Sequence, residues 1–246
     1  MFEIQKLFHL TQVVQNLDEA DDWYNRLFSP CRFYRGYMKE AFRDASLLAI
    51  GDATVIEPVQ VSSEPGAEES PLGRFKARFG ARLHSVAWYV DDLEATVEWL
   101  RSKDVRLVDV AGRPIETREQ SAKVKYVWTH PRDSHGALEF ARVNPAYSTD
   151  PRLQAHWSSA FWLDHPMGIT GPLAISMAVR DLRAATTFYK EVLRARPIPF
   201  EGMNGGTSFM VGPDTIVELI DAAREDIRSF GEGVYGMCFH ERGIQR

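Results

Sequence analysis

Three times the chain repeats a pattern first seen in HLTQVVQNLDEADDWYNRLF, residues 9–28. A short run with β-branched or aromatic residues is followed by an acidic or amide residue and then by a stretch with helical apolar spacing. The second copy is HSVAWYVDDLEATVEWLRSKDV, residues 84–105, and the third is AISMAVRDLRAATTFYKEVL, residues 174–193. Each copy predicts a strand followed by a helix. The residues predicted to cap the three helices are Asn16, Asp92 and Asp181.

Strand-like runs that end in glycine-containing turns follow each predicted helix. The first copy continues with SLLAIGD and ATVIEPVQ, the second with KVKYVWTH and GALEFARV, and the third with TSFMVGPD and TIVELIDA. The repeated unit is therefore predicted to be βαβββ, and the fold class α+β. Because one such sheet has a single apolar face to bury, we expect modules one and two to pair into a cupped mixed sheet.

The repeat also predicts the domain organisation. Residues 1–145 form a two-module domain, residues 146–170 an aromatic linker, and residues 171–246 an incomplete second domain made of a third module and a stub of a fourth. Residues 61–80, rich in Ser, Pro, Gly and charge, are read as a loop. The stub indicates either pairing across a homodimer or a longer four-module chain.

Composition excludes several classes of protein. The 246 residues carry a formal net charge of -5, without a basic stripe, which argues against nucleic acid as a partner. There is no apolar run of about 18 residues and no signal peptide, so no membrane association is expected. Cys31 and Cys238 form no CxxC motif. A reducing, cytoplasmic setting is the plain expectation.

With a His opening its first strand and a Glu closing its last, the βαβββ repeat resembles the vicinal oxygen chelate superfamily. Members include glyoxalase I, methylmalonyl-CoA epimerase, extradiol dioxygenases and antibiotic-resistance proteins. In catalytic members each module gives two metal ligands, one from the first strand and one from the last. The resemblance implies His9 and Glu57 from module one, and His84 and Glu139 from module two.

Such a ligand set implies a particular chemistry. Imidazoles with carboxylates suit a divalent ion such as Zn, Ni, Co, Fe or Mn. Open positions on the ion would let it polarise a substrate carbonyl, and a carboxylate could then move a proton between adjacent carbons. Glu57 and Glu139 are the candidate bases. In epimerase-like relatives an acidic residue just before the SLLAIG strand acts as a second base, which implies Glu40 here.

Each predicted ligand could instead have a purely structural role. His9 stands at the start of a repeat unit, and Glu57 lies in the apolar run VIEP, where an unpaired carboxylate would be costly. Glu139 has a similar setting. His84 is doubtful because it lies one position farther from its helix than His9 does, and one residue of slip turns a side chain to the other face. A β-bulge between His84 and Ala87 would turn the His84 side chain back to the face that carries the other predicted ligands.

The third module lacks this set. Ala174 replaces the first His, although Glu218 keeps the Glu position, and Tyr235 and Gly236 stand where the next His would come. We therefore expect no metal site in residues 171–246.

Three functions stay open for a small-molecule substrate that the sequence does not identify. The first is a metal-dependent lyase or isomerase of glyoxalase I or epimerase type. The second is a ring-cleaving, iron-dependent dioxygenase, against which the apparent fourth ligand argues. The third is a metal-free binding or resistance protein, which the slipped position of His84 keeps open.

Overall fold

The computed structural model describes residues 2–143, 149–165, 168–169, 173–199 and 206–239. In these ranges the strands are β1 (Ile4–Val13), β2 (Cys31–Met38), β3 (Arg43–Ile50), β4 (Thr54–Val61), β5 (Leu83–Val90), β6 (Leu107–Val108), β7 (Tyr126–Thr129), β8 (Ala137–Arg142), β9 (Leu173–Val179), β10 (Arg196–Ile198), β11 (Thr207–Val211), β12 (Thr215–Asp221) and β13 (Gly233–Cys238). The helices are α1 (Leu17–Phe28), α2 (Pro71–Phe79), α3 (Leu93–Arg101), α4 (Arg118–Ser121), α5 (Pro131–Ser134), α6 (Ala160–Leu163) and α7 (Leu182–Thr187), which continues as a π-helical turn over Phe188–Val192.

The first two modules share one eight-stranded sheet, in the order β2-β3-β4-β1-β5-β8-β7-β6. In each module the first strand pairs in parallel with the last, β1 with β4 and β5 with β8. The two first strands then pair with each other, antiparallel, at the centre of the sheet. The predicted α+β fold, with two βαβββ modules joined in one mixed sheet, is confirmed.

The predicted caps begin the three long helices of the repeats. The Asn16 side chain accepts from two backbone N–H groups of α1, and Asp92 and Asp181 each accept from one in α3 and α7. Each bond satisfies a donor that the first helical turn would otherwise leave without a partner.

Alternation along the central strands separates two faces. Leu10 is aligned with Ile56 and Val86, and Val86 with Leu138, and all four belong to the main core together with side chains of α1 and α3. Residues one position away face the opposite side of the sheet, which we call the cup. The candidate site lies there.

The third module forms a five-stranded sheet, in the order β10-β11-β12-β9-β13. Its strands β9 and β12 pair in parallel, as β1 and β4 do, and β13 lies antiparallel to β9, as β5 lies to β1. The two sheets touch: Trp88 donates from Nε1 to Thr215 Oγ1 at 3.2 Å, and residues of both sheets share the main core. The division of the chain into two domains at residues 146–170 stays a prediction.

The loop predicted over residues 61–80 was only partly right, because it contains α2. Ser70 accepts a hydrogen bond from the Gly73 backbone N–H, and Pro71 occupies the first helical position, where its missing N–H costs nothing. The apolar residues Leu72 and Phe75 pack against the sheet. No helix in the described ranges is both long and apolar enough to span a membrane.

Candidate functional site

Three of the residues predicted from the sequence meet in the cup. His9 Nε2 lies 3.2 Å from Glu139 Oε2 and 3.3 Å from Glu57 Oε2. The three residues are only 2 to 3% exposed. One imidazole nitrogen therefore joins two buried carboxylates that come from different modules.

Strand pairing explains why these side chains meet. His9 is opposite Ala87 on β5, and Ala87 is opposite Glu139 on β8. One step along β1, on the same face, Thr11 is opposite Glu57 on β4 and donates from Oγ1 to Glu57 Oε2 at 2.8 Å. Side chains on neighbouring rungs of one sheet face are close enough to interact directly.

A fourth member of the cluster was missed by the sequence reasoning. Arg43, the first residue of β3, donates from Nη2 to Glu57 Oε1 at 2.9 Å, and its side chain is 9% exposed. We call His9, Arg43, Glu57 and Glu139 the cup cluster. The signal that could have found Arg43 is the apolar setting of Glu57, since a buried carboxylate needs either a metal ion or a cationic side chain.

The proposed second base lies elsewhere. Glu40 is exposed on the 3-10 turn Lys39–Ala41, and none of its described contacts joins it to the cup cluster. Arg43, three positions later, enters the cup instead.

His84 reaches the cup face through a bulge. Thr11 pairs with Ser85 while Gln12 pairs with Leu83, so His84 is the extra residue in β5. Its Nδ1 lies 2.8 Å from Ser85 Oγ, which places both side chains on one face, and its ring packs edge-on against Phe75. The irregularity lies at His84 itself, one position before the interval suggested by the sequence.

The cluster shifts the pKa values of its members. Burial lowers the pKa of His9, but the charges of Glu57 and Glu139 outweigh it and hold that pKa above its usual value. Burial raises the pKa of Glu57, yet Arg43 and His9 bring it below its usual value. Burial, with the charge of Arg43, lowers the pKa of His84 to about 4. His9 is therefore the imidazole that favours its charged form.

Two buried nitrogen atoms of the cup cluster have no hydrogen-bond partner in the described structure. They are His9 Nδ1 and Arg43 Nε. Leaving a buried polar group unsatisfied costs about 1–3 kcal/mol, and such groups in native proteins are associated with function. Both atoms can donate a hydrogen bond when His9 is protonated, so they suit an oxygen acceptor.

The cluster does not fit the metal centre that the sequence predicts. Among the described residues, no group of three or more His, Cys, Asp or Glu side chains is arranged to hold a metal ion. His9 Nε2 is within reach of both carboxylates, and Arg43 places a positive charge on Glu57. His84 keeps its Nδ1 on Ser85. The described contacts thus form an ion-pair network among protein groups.

Aromatic rings line the cup beside this network. The Phe8 ring stacks on Tyr89 at 4.4 Å between centroids and on Tyr126 at 6.2 Å. Trp157, from the segment after residue 149, packs against the same cluster. An apolar wall next to a few polar groups is typical of small-molecule sites.

The third module carries a reduced copy of the same site. Ser176 is opposite Glu218 and donates to it at 2.8 Å, as Thr11 does to Glu57. Ala174 stands where His9 stands in the first module. In β13 the extra residue is Tyr235, which takes the place of His84.

Comparisons with known proteins agree with this architecture. Residues 8–126 match the glyoxalase/bleomycin resistance protein/dioxygenase superfamily. A search of curated proteins gives no significant match.

Several solved structures are similar to part of the chain. Methylmalonyl-CoA epimerase from Mycobacterium tuberculosis is 24% identical, with 58% of this chain and 91% of that chain covered and a TM-score of 0.47. A variant of the Streptomyces coelicolor methylmalonyl-CoA epimerase, in complex with 2-nitronate-propionyl-CoA, is 20% identical, with 57% and 98% covered and a TM-score of 0.46. A hypothetical protein from Bacillus halodurans is 18% identical, with 58% and 95% covered and a TM-score of 0.45.

The paired βαβββ modules and the match over residues 8–126 lead to one conclusion. Over residues 8–126 the chain is similar to the glyoxalase/bleomycin resistance protein/dioxygenase superfamily, which is the vicinal oxygen chelate superfamily that the sequence resembles.

Proposed function

We propose that the cup cluster catalyses proton transfer at a carbon next to a carbonyl group, as a lyase or isomerase of glyoxalase or epimerase type. The observation that carries this proposal is the position of His9 Nε2, within 3.3 Å of carboxylates from two modules. Enolisation needs a base for the proton and a positive environment for the developing oxyanion. The cup cluster contains both.

The two carboxylates are suited to different tasks. Glu57 is held by Thr11 and Arg43, and its lowered pKa makes it a weak base. The one described hydrogen bond of Glu139 is the contact with His9. Glu139 is therefore the better proton acceptor, and Glu57 the fixed counter-charge.

A balanced sequence of steps follows from these roles. The Glu139 carboxylate takes a proton from the substrate carbon, and the electron pair of the broken C–H bond moves to the carbonyl oxygen. The guanidinium of Arg43 and the imidazolium of His9 stabilise the enolate by hydrogen bonding. Returning the proton to the same carbon gives exchange, or epimerisation when it is delivered to the opposite face. If that carbon bears a hydroxyl group, protonation of the former carbonyl carbon, with the hydroxyl proton passing to the oxyanion, gives isomerisation.

A second candidate function is ligand binding without chemistry. The aromatic wall formed by Phe8, Tyr89 and Tyr126 could hold a flat or apolar ligand. Under this alternative the cup cluster would orient the ligand only.

Proton exchange in D₂O separates the two candidates. A panel of 2-oxo acids, hydroxyketones and acyl thioesters would be incubated with the protein, and loss of the C–H signal followed by proton NMR. We expect exchange with at least one class, reduced about 10²–10⁴-fold in Glu139→Gln. Glu218→Gln, the matched buried glutamate of the third module, should keep the rate. Saturable binding without exchange would favour the binding function.

A further inference from the structure

A cation already lies among the carboxylates of the cup cluster. Arg43 opens β3 directly after Phe42, whose backbone is left-handed (φ 50°), and it pairs across the hairpin with Met38. Arg43 Nη2 contacts Glu57 Oε1 at 2.9 Å and Met38 Sδ at 3.8 Å. A guanidinium this deeply buried needs a partner carboxylate. Glu57 supplies it.

A divalent ion would give the cup cluster an excess of positive charge. Glu57 and Glu139 contribute two negative charges, and Arg43, whose Nη2 lies 2.9 Å from Glu57 Oε1, contributes one positive charge. A divalent ion bound by a neutral His9 imidazole and the two carboxylates would add two more positive charges. The buried cluster would then hold a divalent ion beside a guanidinium, with a net positive charge that is costly away from water.

The guanidinium of Arg43 lies next to the predicted ligands. Its Nη2 is 2.9 Å from Glu57 Oε1, and the other oxygen of Glu57 is 3.3 Å from His9 Nε2. A positive charge this close repels any other cation that would bind the same carboxylate. Arg43 therefore weakens the site for any cation other than itself.

One hydrogen-bond donor of Arg43 makes no hydrogen bond in the described structure. Its Nε is buried and has no hydrogen-bond partner in the described structure. The guanidinium donors lie in one rigid plane and cannot be deprotonated in a protein, which suits them to hold an oxygen that becomes negative during reaction.

We propose that the Arg43 guanidinium is the resident cation of the cup, neutralising Glu57, donating from Nε to the substrate oxygen and keeping divalent metal ions out. The contact with substrate oxygen rests on the proposed function. The exclusion of metal ions does not depend on it.

Metal uptake in the absence of substrate tests the exclusion. The purified full chain would be dialysed against Co²⁺ or Zn²⁺, and bound metal measured by elemental analysis, with the Co²⁺ absorption spectrum as a second readout. We expect no stoichiometric uptake by the wild type. Arg43→Gln should bind Co²⁺ at least about tenfold more tightly, since the neutral amide removes the repulsion.

Matched variants test whether the positive charge at position 43 causes the exclusion of metal ions. Arg43→Lys keeps the charge and should exclude the metal, and Arg106→Gln, which removes an exposed arginine paired with Asp133, should behave as the wild type. Adding His9→Ala to Arg43→Gln should abolish the gained binding.

Two results would overturn the proposal: stoichiometric uptake by the wild type that His9→Ala abolishes, or no gain in Arg43→Gln. If Arg43→Gln does not fold, as judged by circular dichroism, the wild-type measurement decides alone. The metal-uptake measurement uses no substrate, so its outcome does not depend on whether the proton-exchange experiment succeeds.

Discussion

Arg152 donates from Nη2 to the Phe8 carbonyl oxygen at 3.0 Å, 144 positions away in the chain. The same nitrogen contacts the Leu7 carbonyl oxygen at 2.9 Å. Phe8 is the extra residue of a bulge in β1, between the paired residues Leu7 and His9. Arg152 itself forms a fully buried ion pair with Asp150. A residue far outside the first module thus holds the strand that presents His9.

We predict that Arg152→Met destabilises the protein by about 3–5 kcal/mol, because it removes the cationic partner of the buried Asp150 carboxylate and the donor to two backbone carbonyl groups of β1. The free energy of unfolding would be measured in urea, and the histidine NMR signals should shift as the β1 bulge relaxes. Arg106→Met, whose partner Asp133 lies at the surface, should cost less than about 1 kcal/mol. Equal losses in the two variants would show that the buried pair does not support the strand.

The hydroxyl of Thr11 is predicted to stabilise the Glu57 carboxylate. Thr11→Val keeps the shape of the side chain but removes the donor, so it should cost about 1–3 kcal/mol of unfolding free energy. Thr11→Ser keeps the hydroxyl and should recover most of this loss. The comparison is made by denaturant unfolding at neutral pH. Thr11→Val with unchanged stability would mean that Glu57 finds its hydrogen bonds elsewhere.

His84 should make stability depend on pH in a defined window. Its pKa falls from 6.5 to about 4 on folding, so the unfolded chain takes up the proton first as the solution is acidified. The free energy of unfolding should therefore decrease between about pH 6.5 and pH 4, by about 3 kcal/mol. His84→Gln should make this slope clearly shallower, and the remaining slope comes from groups such as His130 and His135, whose pKa values burial also lowers.

Two groups of the cup cluster act mainly outside that window. The raised pKa of His9 gives stability that is fully present below pH 6.5 and lost as the pH rises through the folded value. The lowered pKa of Glu57 gives stability that is present above 4.5 and lost as the pH falls through its folded value. A slope between pH 6.5 and 4.5 that is as steep in His84→Gln as in the wild type would therefore contradict the assignment to His84.

Local patterns in the sequence were enough to predict the architecture. The repeated strand, cap and helix depend on side-chain periodicity and on Asn16, Asp92 and Asp181, all of which act over a few positions. His9, Glu57 and Glu139 were implied by the resemblance to the vicinal oxygen chelate superfamily, in which the first and last strands of each module carry the ligands.

Other features depend on contacts that sequence spacing does not encode. The bulge at His84 arises from the register between β1 and β5, which is a property of two strands together. Arg43 enters the cup because the hairpin of β2 and β3 turns it inward, whereas Glu40, three positions earlier, stays exposed. Arg43 is therefore an alternative partner of Glu57 to the predicted metal ion, and only the tertiary structure reveals it.

The central claim is that the His9 imidazole is shared by two buried carboxylates, which hold its pKa above the usual value, and that the cationic partner of these carboxylates besides His9 is Arg43 and not a metal ion. The most direct measurement is a pH titration of ¹⁵N-histidine-labelled protein by NMR, with and without Zn²⁺. The account predicts a His9 pKa above 6.5, a lower value in Glu139→Gln and no change in the Nε2 resonance on adding Zn²⁺. A His9 pKa at or below 6.5, or a Zn²⁺-dependent shift of Nε2 to that of a metal-bound imidazole, would contradict it.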